Sequence, residues 1–513
     1  MMALLGLDIG TSATKALVLT PQGKVVATAE SPHVLKTPRP GWSEQDPEGW
    51  WRAVVLATGQ ALKKAGIHGS EITAIGLSGQ MHGSVFLGDG PRPLRPALLW
   101  NDQRTAKECR EIETLAGGRE SLINMVGNPA LTGFTAPKIL WLRDNEPARY
   151  EKCRHVLLPK DYIRYRLTGD YAGEVSDASG TLLFDVKNRR WCKELIDRLG
   201  IDSSWLPPIS ESQEITGQVS AAAAEFLPLR KGTPVVGGAG DQAAGAVGTG
   251  VVSAGLLSAS MGTSGVIFAA SGSPQTDPRG RVHTMCHAVP KTWCVFGCML
   301  SAGGSLQWLR NMLLSHETEQ LIRRKKDPGV LYEHLIEQAQ RAPVGAEHLF
   351  FLPYLTGERC PHPDPHARGA FIGLTPRHQQ AHLIRSVLEG ITFGMREQVA
   401  IMRSMGLKVD QVRASGGGAR SSFWRQLQAD MYEAPVATIN VSEGAALGAA
   451  ILAGVGTGVW KTVAQATMAI IKIQHRSSPH KIRAAQYGNL YRTYAALYPA
   501  LQGIFPLLAG EAG

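Results

Sequence analysis

An aspartate, a glycine turn and a pair of hydroxyls open the chain. Leu5-Gly6-Leu7-Asp8-Ile9-Gly10-Thr11-Ser12 ends an apolar strand, and Leu257-Ser258-Ala259-Ser260-Met261-Gly262-Thr263-Ser264 repeats its shape far downstream. A glycine at such a turn can take positive φ, and the N–H groups and hydroxyls after it then converge on an anion. Two turns imply two phosphate clamps. They differ where Asp8 faces the neutral Ser260. A carboxylate beside a phosphate loop repels a bare phosphate, so it makes sense only with a cation such as Mg²⁺ between them. A second acid, Asp241, stands at the end of the strand expected over Val235 to Gly240. There it can accept the proton of an attacking hydroxyl; the alternative is a plain helix N-cap. Thr11, Ser12, Lys15 and Thr263 supply hydroxyls, amides and one cation suited to β- and γ-phosphates. Gly416-Gly417-Gly418 before a helix can pass a backbone close to a nucleoside. Neither turn ends in Gly-Lys-Ser/Thr, which excludes a Walker-type P-loop.

These groups need elements to hold them. The first forty residues read as a strand meander, followed by a helix from Pro47 to about Ala65. A buried strand from Ile72 to Leu77 then delivers Ser78-Gly79-Gln80-Met81-His82-Gly83, and strand-to-loop switches are where open sheets place ligand groups. A second cycle starts at Pro234. Gly303 to Met312 and Ala381 to Met405 read as helices, and Phe423, Leu427 and Met431 recur at four-residue spacing after the glycine triplet. Ser442-Glu443 caps an apolar helix reaching about Gly454, whose small residues suit close packing. The pattern is two α/β lobes with a nucleotide in the cleft between them. The expected divisions are 1–240, 241–458 and a helical extension over 459–513.

Composition narrows the classes. With 513 residues, 44% hydrophobic and 19% charged, the chain reads as a soluble globular enzyme of two or three domains. The net charge of +10 raises nucleic acid as a partner, but Arg323-Arg324-Lys325-Lys326 is the only dense basic run and no aromatic residues interleave with it. A solvated helix face accounts for it. Gln242 to Thr276 carries no charge, yet its recurring glycine, serine and threonine fit a buried sheet with tight turns better than a membrane span. Seven cysteines and no basic leader point to a reduced, cytoplasmic setting. His283, Cys286, His287, Cys294 and Cys298 lack a CxxC knuckle, and alternating strand positions explain them better than a metal.

Several longer motifs fall in one order: Gly41-Trp42-Ser43-Glu44-Gln45-Asp46-Pro47, Gln80-Met81-His82-Gly83, Trp100-Asn101-Asp102 and Leu158-Pro159-Lys160-Asp161-Tyr162. Two signature stretches join them, Gly133 to Asn145 around Lys138 and Trp141, and Gly369 to Glu389. From Leu4 to about Gly458 the chain resembles the FGGY carbohydrate kinases, and within them the bacterial xylulokinases most. The resemblance implies an α/β fold of two actin-like, ribonuclease H-like domains closing over ATP and a ketose. It implies Asp241 as general base, with Asp8 and Asp241 around Mg²⁺. Met81 and His82 match the sugar-contacting pair, and Trp100, Asn101 and Asp102 the loop beside it. Thr11, Thr263, Gly303, Gln307, Gly417, Gly418 and Ser421 fall on positions that meet ADP or its phosphates. One departure stands out, because Gln242 follows the acid where xylulokinases often carry asparagine. The extra methylene moves the amide by about one bond length and retunes which hydroxyl is gripped. The expected activity is ATP-dependent phosphorylation of a pentulose, D-xylulose at its 5-hydroxyl. The rivals are a kinase for ribulose, a deoxy-ketose or a polyol, and an actin- or chaperone-like ATPase with no use for the Gln80 to Gly83 loop. Relatives are commonly homodimers; neither nucleic acid nor membrane is expected as a partner.

Overall fold

The computed structural model describes residues 2–324, 326–441 and 443–508, so Lys325 of the basic run and the Ser442 cap lie outside the described residues. Two compact units interleave along the chain. The first takes everything to Ser253, then Ala270–Cys294 and Val441–Lys472; the second takes Ala254–Ala269, Val295–Asn440 and the chain from Ile473 onward. The divisions expected at 240 and 458 cut across these units, because the helices Asp241–Gly248 and Gly444–Gly456 both pack into the first.

In the first unit the sheet order is Ile215–Gln218, Pro234–Val236, Ile72–Gly79, Ala3–Ile9, Ala13–Leu19, Val25–Pro32, with Ala239–Gly240 also paired to Ile72–Gly79. Period-two alternation sorts the opening strand. Ala3, Leu5, Leu7 and Ile9 share a core with Trp50, Val54, Ala57 and Ala61 of the helix Pro47–Ala65, while Leu4 joins Leu17, Leu19, Ala446 and Ala450 on the other face. Asp8 shares the face of Leu4 and Gly6. Helix Pro47–Ala65 is delimited as its sequence demands: the Asp46 carboxylate caps the Glu48 N–H at 3.1 Å, proline opens the first turn, and Gly66 closes it at φ 67°. On the opposite face the helix Gly444–Gly456 lies directly on the strands. A Cβ at Gly6 or Gly76 would run into the carbonyls of Ala446 and Ala449. Its small residues therefore serve packing, and among the described residues no helix is long and apolar enough to cross a membrane.

The second unit repeats the opening. Its sheet order passes through Trp293–Met299, Gly265–Ser271, Gly255–Met261, Val409–Gly416, Val436–Ile439 and Ile473–Ser477. Gly255–Met261 runs antiparallel to Gly265–Ser271 and parallel to Val409–Gly416, just as Ala3–Ile9 runs antiparallel to Ala13–Leu19 and parallel to Ile72–Gly79. Asp8 is in register with Ser78, and Ser260 with Ser415. The uncharged stretch thus becomes most of a helix and a β-hairpin. The terminal helix Lys481–Leu501 belongs to this unit, where Tyr487 donates to Glu389 at 2.7 Å and the Tyr494 ring lies 4.9 Å from that of Phe393. All seven cysteines are free thiols, and among the described residues no cluster of three or more His, Cys, Asp or Glu is arranged to hold a metal.

Candidate active site

Asp8 is the penultimate residue of its strand, half-buried, with Lys15 across the hairpin and Ser78 on the parallel strand. Burial raises its carboxyl above the ordinary range, while the Ser78 hydroxyl and the Lys15 charge oppose the rise. Its Oδ1 is buried with no hydrogen-bond partner. The route to Asp241 is not one strand but two. Pro234–Val236 stops, Gly238 turns at φ 76° where a Cβ would strike the Leu77 carbonyl, and Ala239–Gly240 resumes beside Ser78 and Gly79. Asp241 follows as the first residue of its helix, and the cap position is Gly240, so the N-cap alternative falls away. Burial first, then the charge of Asp8, push the Asp241 carboxyl up to about 7; the Gln242 N–H and side chain pull the other way. A carboxyl near neutrality can take up a proton, and two acids within electrostatic reach, one with an orphan oxygen, form a donor set for a hard cation.

Of the residues expected at the sugar, Met81 and Gln242 stand beside Asp241, His82 continues the Met81 loop, and Trp100 reaches the first glycine turn. Met81 is buried and packs on Gly240. His82 adopts φ 70°, and its Nδ1 lies 2.7 Å from the Gly180 carbonyl, which can only accept. In the neutral ring Nδ1 therefore carries the hydrogen and Nε2 the lone pair. The Phe134 ring meets it edge-on at 4.9 Å. Gln242 is half-buried beside Asp241, and Asn101 carries a buried Oδ1 with no partner. Trp100, 38% exposed, donates from Nε1 to the Thr11 hydroxyl at 2.9 Å. Asp102 does not join them. It is wholly buried, accepting from the Ser43 N–H at 2.6 Å and gripping Arg104 through both oxygens, so it shapes the loop from beneath.

The first glycine turn is braced by residues whose role the sequence did not reveal. Gln45 donates to the Thr11 carbonyl at 2.7 Å and accepts from Gln80 and from the Trp50 indole, each at 2.9 Å. Ser12 is exposed. Lys15, expected on phosphate, is instead ion-paired with Glu30 at 2.9 Å and Glu443 at 2.7 Å, tying the hairpin to the residue that precedes helix Gly444–Gly456. Behind Asp241 lies a buried knot: Lys160 Nζ stands 2.5 Å from Asp161 and 3.5 Å from both Glu174 and Asp177. The Gly240 N–H donates to Ser176 Oγ at 3.1 Å, and that hydroxyl donates to Glu174 at 2.9 Å, so the knot supports the strand that presents the acid. Neither oxygen of Asp177 is hydrogen-bonded, and burial pushes its carboxyl well up.

In the second unit the nucleotide candidates gather at one end of adjacent strands. The Gly303 N–H donates to Gly262 O at 2.9 Å, and those of Ala302 and Gly304 to Thr263 O at 2.8 and 3.0 Å. The start of helix Gly303–Leu313 is thereby fixed to the second glycine turn. A helix N-terminus of small residues suits an anion. Thr263 and Gln307 are exposed. Met261 is in register with Gly416, which sets the glycine triplet beside that turn, with Gly417 exposed and Gly418 buried. Ser421 caps helix Ser422–Tyr432, accepting from the Trp424 N–H at 3.2 Å. Glu358, which sequence reading passed over, accepts from the Leu300 N–H at 2.9 Å just ahead of helix Gly303–Leu313.

Comparison with known proteins adds independent findings. The model for the FGGY family of carbohydrate kinases, N-terminal domain, matches residues 3–248, and that for the C-terminal domain matches residues 257–457. The chain is 39% identical over 508 residues to a xylulose kinase of Escherichia coli, covering 98% of this chain and 100% of that one. It is 37% identical over 494 residues to a xylulose kinase of Staphylococcus epidermidis, covering 96% of each. A solved structure described as a xyloylose kinase from Brucella ovis superposes with a TM-score of 0.88 at 37% identity, covering 98% of this chain and all of that one.

Proposed function

Since the chain belongs to the FGGY family of carbohydrate kinases, we propose that it transfers the γ-phosphoryl group of ATP to the 5-hydroxyl of D-xylulose, with Asp241 as general base. The observation that carries the proposal is the Asp241 carboxyl, raised to about 7 beside Asp8 and next to the Met81–His82 loop. The near full-length likeness to xylulose kinases supports D-xylulose as acceptor.

Asp241 takes the proton of the attacking hydroxyl. His82 bonds a second sugar hydroxyl, and the Gln242 amide grips a third. Asp8 and Asp241 would hold Mg²⁺, which fits the orphan Oδ1 of Asp8 and supplies charge neutralisation on the phosphates. Thr11 and Ser12 address the terminal phosphates with N–H and hydroxyl groups; Thr263, Gly303, Gln307, Gly417, Gly418 and Ser421 of the second unit address the nucleotide. Lys15 and Asp102 are left out of these sets, because the ammonium and the carboxylate are already engaged. Alignment and charge placement are the main sources of acceleration in such transfers. The free thiols support a cytoplasmic setting, and a homodimer is proposed from the resemblance alone.

Coupled ADP release across D-xylulose, ribulose, a deoxy-ketose and a polyol tests the acceptor. The highest kcat/KM should fall on D-xylulose. Another preferred sugar would reassign the substrate, and ATP turnover indifferent to every sugar would overturn the kinase reading.

A further inference from the structure

Lys138 is wholly buried in the helix Thr135–Asn145, and its Nζ donates to two main-chain carbonyls, those of His82 at 2.9 Å and Gly133 at 2.7 Å. Thr135 Oγ1, on the same helix, adds a second bond to the His82 carbonyl at 3.0 Å. An ammonium in such a place is disfavoured: burial pulls its pKa down to about 7 and Arg104 adds to that, while Asp102 and Cys109 oppose it. An apolar side chain of similar volume would fill the space without that penalty, so packing alone does not account for a lysine here.

The two carbonyls belong to the two segments that flank the proposed sugar position. His82 holds a left-handed backbone, which a residue with a Cβ adopts only where surrounding bonds keep it there. Its ring is fixed at the other end by Gly180. Gly133 backs directly on the Trp100 loop, since a Cβ there would come within 2.6 Å of the Trp100 carbonyl. Trp100 in turn bonds Thr11. One ammonium thus joins the backbone of the histidine loop to the segment that supports the tryptophan loop.

Building on the sugar-kinase reading, we infer that Lys138 is a positioning residue for the acceptor: by clamping the His82 and Gly133 carbonyls together it sets the spacing between the His82 ring and the Trp100 loop. It touches neither sugar nor nucleotide and acts through His82. Lys138→Met keeps the volume and removes both bonds. With D-xylulose and ATP as substrates, the KM for the sugar should rise about tenfold or more, as expected for the loss of charge-assisted bonds. The kcat and the KM for ATP should each stay within about threefold of wild type, because the two clamp bonds reach no residue proposed for the nucleotide and the Trp100–Thr11 bond is left in place.

A merely structural role would not produce the second signature. In a His82→Ala background the same Lys138→Met change should raise the sugar KM less than about twofold, because residues acting as one unit are non-additive. Lys138→Arg, which keeps donors, should recover part of the sugar KM. Should Lys138→Met fail to fold, Thr135→Val removes only the other bond to the His82 carbonyl and should raise the sugar KM severalfold with the ATP KM unchanged. A Lys138→Met enzyme with the wild-type sugar KM, or effects that multiply independently in the cycle, overturns the inference alone. A wild-type chain that releases no ADP with any sugar defeats the kinase reading and the inference together.

Discussion

The indole Nε1 of Trp100 donates to the Thr11 hydroxyl at 2.9 Å, joining a side chain proposed for the sugar to one proposed for a phosphate. Trp100→Phe keeps an aromatic side chain, though a smaller one, and deletes the donor. A neutral hydrogen bond of this kind is worth about 0.5–1.5 kcal/mol, so both the sugar KM and the ATP KM should rise by about two- to tenfold. A change confined to the sugar constant would show that this bond does not link the two substrates.

The charge on Asp8 contributes to the raised carboxyl of Asp241. A general base must be deprotonated, so kcat/KM for the sugar should fall as pH drops through about 7. Asp8→Asn removes a negative neighbour and lowers the Asp241 pKa. The acid limb of the profile should therefore move to lower pH even as the maximal rate declines. A limb that stays in place would contradict electrostatic coupling of the two acids.

The same raised carboxyl has a consequence for stability. The ordinary aspartate value is 3.8 and the folded value about 7, so the native state binds the proton more tightly and stability drains away as pH rises between them. Asp241→Asn removes the ionising group. Thermal denaturation should show the variant more stable than wild type at pH 8, with the difference shrinking towards pH 4.

Two glycines should respond to substitution in opposite directions. A methyl at Gly6 collides with the Ala446 carbonyl, and such overpacking costs about 1–3 kcal/mol, so Gly6→Ala should lower the Tm by several degrees. Gly59, inside helix Pro47–Ala65, has open space where its Cβ would stand. Gly59→Ala should raise stability by about 0.5–1 kcal/mol through the lower backbone entropy of the unfolded chain. Equal effects at the two positions would mean that the helix Gly444–Gly456 is not seated as described.

Local signals carried well. Proline after Asp46, the apolar run from Ala3 to Ile9 and the two glycine turns are short-range features, and the helix, strands and hairpins appear where those features place them, although neither Gly10 nor Gly262 takes the positive φ such a turn allows. What escaped depends on partners far apart in the chain. Lys15 reads as a phosphate ligand until Glu443, 428 residues away, takes its ammonium. Asp102 reads as a loop carboxylate reaching for sugar until Ser43, 59 residues earlier, claims it. The interleaving of the units has the same origin, since only packing reveals that Gly444–Gly456 lies on Gly6 and Gly76. Lys138 passed as part of a motif because nothing in an apolar helix shows which carbonyls its ammonium will meet. The tyrosines at 487 and 494 were readable in principle as one face of a helix, with Leu490 between them, but their partners in Gln380–Ser404 were not.

The central claim, that Asp241 is the base in phosphoryl transfer to a sugar, is tested most directly by sugar-dependent ADP release from Asp241→Asn at saturating ATP and D-xylulose. The variant should still bind nucleotide with wild-type affinity while turnover falls by about 10²–10⁴-fold, the range associated with loss of general base catalysis. Sugar-dependent release persisting within about tenfold of wild type would contradict it.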